Sequence, residues 1–119
     1  MSEERVLQDY LNDILESVDD ILDFTAGMSS EQFSADRKTV KAVVRCLEVI
    51  GEAANNIPQN VREHYQDIPW AEIIGMRNRL IHEYFGVDVT ILWQTVKEDI
   101  EPLKLSIKKM DLELPHKEE

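Results

Sequence analysis

Residues 3–24 read EERVLQDYLNDILESVDDILDF. Val6, Leu7, Tyr10, Leu11, Ile14, Leu15, Val18, Ile21 and Leu22 recur in steps of three and four, which draws one continuous apolar stripe along a helix. A stripe of that length has to be covered by other elements, and the sequence outward from it supplies more of the same kind. Gly27 marks the break that follows. Ser29 with Gln32 three positions on has the form of a capping box and predicts a short helical turn. A second long helix is expected over residues 36–55, with Val40, Val43, Val44, Leu47, Ile50 and Ala54 on its apolar face. Asn56-Ile57-Pro58 ends it, because the residue before a proline is pushed out of the helical region. A short helix over 59–65 follows. Pro69 then suits the first position of a helix, where its missing N–H costs nothing. That helix is expected to reach residue 85, with Gly86 as its stop. Asp88 caps a last helix running to about residue 109, kinked at Pro102. Residues 111–119 read as a polar, frayed tail. The fold class expected is all-α, an antiparallel bundle of four to five helices, over one domain spanning residues 1–119.

Composition limits what such a bundle does. The chain has 119 residues, 43% hydrophobic and 31% charged, with a formal net charge of −11. That is enough apolar material for one core and too little length for two. A charge of −11 argues against a nucleic-acid coat or scaffold protein, which carries a basic footprint. It leaves room for a nuclease with a small local basic site, and it suits a partner with a basic docking face. The lone cysteine, Cys46, excludes an internal disulfide and reads as a small buried hydrophobe. There is no 18-residue apolar run, and the N-terminal Met1-Ser2-Glu3-Glu4 is acidic where a signal peptide is basic, so the cytoplasm is the expected location. No Cys/His ligand set, phosphate-binding glycine loop or serine-centred triad is present. The expectation is therefore neither metal nor organic cofactor.

The helix expected over 69–85 contains a conflict. Its apolar stripe is Trp70, Ile73, Ile74, Leu80, Ile81, Tyr84 and Phe85, and Arg77 falls near the middle of it. A permanently charged guanidinium on an apolar face is costly unless something pairs with it. Three explanations stand open: an ion pair with Glu48 or Glu52 of the second helix, a subunit interface, or a site for an anion. A second ridge, Ala71, Gly75, Asn78 and His82, runs along the same helix at steps of four, three and four. Glycine inside a helix costs about 1 kcal/mol relative to alanine, so Gly75 points to a close approach by another helix. His82 titrates near neutrality. With Arg77, Asn78 and Arg79 beside it, the segment offers a proton carrier, an anion clamp and an orienting amide, the parts that metal-free phosphoryl transfer requires. Arg77 and His82 lie about 140° apart around an ideal helix and converge poorly within one chain. Two copies meeting across the small-residue ridge converge better. His64 and His116 have no such company.

Arg77-Asn78-Arg79-Leu80-Ile81-His82-Glu83-Tyr84 resembles the Arg-x4-His-x-Tyr signature of HEPN-domain ribonuclease toxins, in particular the HepT-like branch. Ile73-Ile74-Gly75-Met76, Phe85-Gly86-Val87-Asp88 and Leu47-Glu48-Val49-Ile50-Gly51-Glu52-Ala53 also look like that branch. The resemblance implies a HEPN-like bundle, a homodimer with a composite cleft, and metal-independent cleavage of RNA by Arg77 and His82 with Asn78 in support. It also implies a toxin whose cognate antitoxin is an MntA-like minimal nucleotidyltransferase that transfers AMP to Tyr84. The residues by themselves leave a second class open, a non-catalytic nucleotide- or RNA-binding regulatory module.

Other features have two readings each. Arg37, Lys41 and Arg45, with Lys38 beside them, recur on the second helix; they and Arg79 either guide RNA phosphates or form a solvated face. Trp70 and Trp93 either stack on bases or pack, and their apolar helical settings favour packing. Glu48 and Glu52 are catalytic carboxylates, an exposed surface or a brace for Arg77.

Overall fold

The computed structural model describes the backbone of residues 3–82 and 88–114, and the side chains of residues 6–76 and 88–114. Among the described residues the protein is all helix: α1 (Glu3–Phe24), α2 (Ser30–Ala35), α3 (Arg37–Asn56), α4 (Gln59–Glu63), α5 (Trp70–His82), α6 (Val89–Glu98) and α7 (Ile100–Glu113). Four long bodies, α1, α3, α5 and the α6–α7 pair, form the bundle, and α2 and α4 are single-turn connectors. No helix among the described residues is long and apolar enough to cross a membrane.

The α1 stripe does what its spacing predicts. Leu11, Ile14, Val18 and Ile21 are fully buried, and α1 packs against α3 and α7. Gly27 takes φ 75°, a left-handed turn that a β-carbon disfavours. The capping box is present in both directions: Ser29 Oγ accepts from the Gln32 N–H at 3.1 Å, and Gln32 Oε1 accepts from the Ser29 N–H at 2.9 Å. This aims Phe33 into the core. Asp36 then caps α3 by accepting the Thr39 N–H at 3.1 Å, and that hydrogen bond holds its carboxyl below its ordinary value. Ile57 is extended before Pro58, ending α3 where expected.

Two readings near the C-terminus are corrected. The last helix is broken, and the break falls at Asp99, three positions ahead of Pro102. Proline has no N–H to give the carbonyl four positions earlier, and its ring crowds that carbonyl, so the ladder fails at Glu98. The helix also continues past residue 109, to Glu113. Met110 is fully buried, and Gln8 Nε2 donates to Asp111 Oδ1 at 2.8 Å, so residues 111–113 are held against α1 instead of fraying. The rest of the expected tail, 115–119, lies outside the described residues. Lys104 Nζ meets Asp19 Oδ1 at 2.8 Å along the same α1–α7 seam, and that hydrogen bond raises the lysine's pKa.

Candidate functional site

The signature segment rides on α5, so the anchoring of α5 decides where the segment lies. Trp70 is buried, and its indole N–H is shared between the carbonyls of Arg62 at 3.1 Å and Tyr65 at 3.0 Å. Arg62 Nε in turn donates to the Ile57 carbonyl at 3.0 Å. The start of α5 is thereby pinned to the end of α3, and α5 returns along α3. Pro69 stands one residue before the helix, its carbonyl accepting from the Ile73 N–H at 3.0 Å. Trp70 is thus a packing residue, as its setting suggested. Trp93 is half-buried, with its ring 5.0 Å from Phe33 and Lys97 Nζ 5.3 Å from its centroid.

Arg77, Asn78, Arg79 and His82 all fall on the C-terminal part of α5. Arg77 and His82 are five positions apart, about 7.5 Å along the axis at the usual helical rise. Tyr84, with Phe85 and the expected stop at Gly86, lies outside the described residues. The same holds for the side chains of Arg77, Asn78, Arg79 and His82, and for His116. Glu48 pairs with Arg45 at 3.5 Å on its own helix, and Glu52 is exposed. Arg37, Lys38 and Lys41 are exposed as well. His64 is an exposed residue whose Nδ1 sits 3.3 Å from the Asn60 carbonyl oxygen, in keeping with a surface role.

The structure also holds something the sequence did not announce. A cleft of about 660 Å³ opens between the first half of α5, the middle of α3 and the α6–α7 elbow. Its floor is apolar, with Leu47, Ile50, Ile73 and Ile100, and its rim carries Asp67, Glu72, Glu98 and Asp99. Gly75 lines this cleft, and a β-carbon built on it meets nothing within 4 Å. The close helix approach expected at Gly75 is therefore not made by the described residues. Ala71, the next member of the small-residue ridge, is exposed.

The fold and the segment on α5 define an all-helical bundle with an arginine, an asparagine and a histidine on one helix packed against α3. The profile of the family described as "Ribonuclease HepT-like" matches residues 14–110, from the middle of α1 into the last turn of α7. A protein of Thermococcus cleftensis named "Probable ribonuclease HepT" is 50% identical over 106 residues, 89% of this chain and 96% of that protein. One of Methanocaldococcus jannaschii named "Putative RNase MJ1216" is 46% identical over 115 residues, 97% of this chain and 95% of that protein. This chain belongs to the HepT-like ribonuclease family. No solved structure matches it.

Proposed function

We propose that the chain is a metal-independent endoribonuclease and the toxin half of a toxin–antitoxin pair, a single HEPN-like domain over residues 1–119 that works in the cytoplasm as a homodimer. The observation that carries this reading is the position of Arg77, Asn78 and His82 on one helix of a chain in the HepT-like family. In the reaction, a ribose 2′-oxygen attacks the adjacent phosphorus and the 5′-oxygen leaves. The O2′–P bond forms, the P–O5′ bond breaks, and the proton of the 2′-hydroxyl ends on the departing oxygen. His82 handles that proton, Arg77 stabilises the extra charge on phosphorus, and Asn78 orients one or the other.

The open side of α5 supports the dimer. Ala71 is exposed and Gly75 has free space before it, so a second copy has room to approach there and bring its Arg77 toward this chain's His82. Control falls to Tyr84, two positions beyond His82. An MntA-like partner that transfers AMP to its hydroxyl places a bulky anion at the cleft mouth, which repels RNA phosphate and competes for Arg77.

Purified protein incubated with RNA in chelator tests the chemistry: the parent cuts, and folded His82→Ala does not. Equal cutting by the two ends the mechanism. Co-expression with the nucleotidyltransferase tests the control. Intact mass should show added AMP on the parent and none on Tyr84→Phe, and Tyr84→Phe should stay toxic. A neutralised but unmodified parent means occlusion instead. The net charge of −11 favours one other reading, a regulatory module that binds RNA or a nucleotide without cutting. Binding without cleavage in the same assay selects it.

A further inference from the structure

Positive charge is scarce in this chain and unevenly placed. Six of its thirteen lysines and arginines, Arg37, Lys38, Lys41, Arg45, Arg77 and Arg79, fall in residues 37–47 and 73–82, two stretches free of its twenty-four acidic residues. The first stretch opens α3 and the second forms most of α5, and α3 and α5 pack together. The start of α5 is pinned to the end of α3, so the histidine end of α5 runs toward the start of α3. The position of α6 agrees with that direction. Asp88 opens α6 six positions after His82, and α6 reaches back to α2 through the Phe33–Trp93 contact, with Phe33 four positions before Arg37.

At this end of α3 the acidic charge is confined to the N-cap, Asp36. A helix N-terminus carries partial positive charge and favours acidic side chains in its first turn. The first turn of α3 has none and begins with Arg37 and Lys38. Arg37 and Lys41 are exposed, lie four apart on one face, and share no salt bridge with a described residue. Arg45 continues the row, but Glu48 holds it at 3.5 Å. Beyond the Asp36 cap, cations at this helix end gain nothing from the helix dipole, and a charged row that the fold does not use marks function more often than structure.

We infer that Arg37 and Lys41 are substrate-binding residues that hold backbone phosphates of RNA flanking the scissile bond and lead the strand toward the end of α5. The inference rests on the proposed action on RNA. The two residues bind and position; they take no part in proton transfer.

The test is the salt dependence of binding, read separately from cleavage. A fluorescent single-stranded RNA of about twenty nucleotides is titrated with the parent and with Arg37→Gln/Lys41→Gln at several salt concentrations. Each phosphate contact on single-stranded nucleic acid contributes about 0.7 to the slope of log affinity against log salt, so losing two lowers the slope by about 1.4. Arg45→Gln, whose parent side chain is already paired, lowers it by less than half as much. A second variant, Arg37→Glu/Lys41→Glu, separates binding from folding. It binds RNA more weakly still, yet melts no lower than the parent, because acidic residues suit that helix end. An unchanged slope in the glutamine variant overturns the inference. So does a glutamate variant that melts well below the parent, since the row is then structural. A parent that binds RNA with the expected slope difference but never cuts it sinks the nuclease reading and leaves this one standing.

Discussion

The two halves of α5 differ in what they carry. Residues 70–76 begin with a buried tryptophan tied to two carbonyls and run beside an apolar cleft rimmed by four carboxylates. Residues 77–82 carry two arginines, an asparagine and a histidine, with no acidic side chain among them. One half is bolted to the bundle; the other carries the groups to which the proposed function gives the chemistry. A single rigid helix thus holds a repelling end and an attracting end for a polyanion. On the proposed function, such a division lets a chain of net charge −11 keep a local site for RNA while its remaining surface discourages non-specific adhesion.

That contrast is open to direct attack. The largest effect is expected at the reactive end: His82→Ala should lower RNA cleavage by about 10²–10⁴-fold, the usual contribution of a general acid–base group, with an unchanged melting curve. At the bolted end, Trp70→Ala should cost about 3–5 kcal/mol of stability, read from the denaturant midpoint, and should reduce activity only through unfolding. A specific loss of turnover in folded Trp70→Ala would erase the division between the halves. Gly75 lies at the junction. Gly75→Ala should stabilise the isolated chain by about 0.5–1 kcal/mol, because helix entropy improves and the new methyl meets nothing. Gly75→Leu should weaken the dimer and activity together, and a fully active monomer by sedimentation rules out the shared site. The smallest change is expected in the cleft. Glu72→Gln with Glu98→Gln should leave cleavage at moderate salt within about twofold of the parent, since exposed charges on this scale are largely screened. A marked loss would make the acidic cleft part of the catalytic surface.

Much of the architecture was legible in the residues because it rests on local chemistry. The limits of α1, the Ser29–Gln32 box, the Asp88 cap and the stop before Pro58 each follow from a few neighbouring side chains. Where the outcome depended on partners far along the chain, the reading slipped. Residues 111–113 look like polar tail until Gln8 is seen across from Asp111. Pro102 announced a disturbance, but its consequence is felt upstream, at the carbonyl it fails to satisfy. Gly75 pointed to a close approach by another helix, and the described residues offer an open cleft there in place of a close neighbour. The candidate site divides the same way. Arg77, Asn78 and His82 fall within one short segment of a helix and were visible by type and spacing. The acidic rim comes from Asp67, Glu72, Glu98 and Asp99, which no periodicity links; only the return of α5 beside the α6–α7 elbow brings them together.

The hydrogen bond between Gln8 and Asp111 bears on how the chain can be rewired. It places the opening turns of α1 beside the closing turns of α7, so a short flexible linker suffices to splice the two ends of the bundle. New ends fit best in the exposed turn at Ala26 and Gly27, between α1 and the capped start of α2, where no core side chain is cut away. A circular permutant made there starts with α2 and α3, and finishes with α1 docking onto a frame already formed by the others. Every helix keeps its neighbours, while the order in which the ribosome delivers them changes.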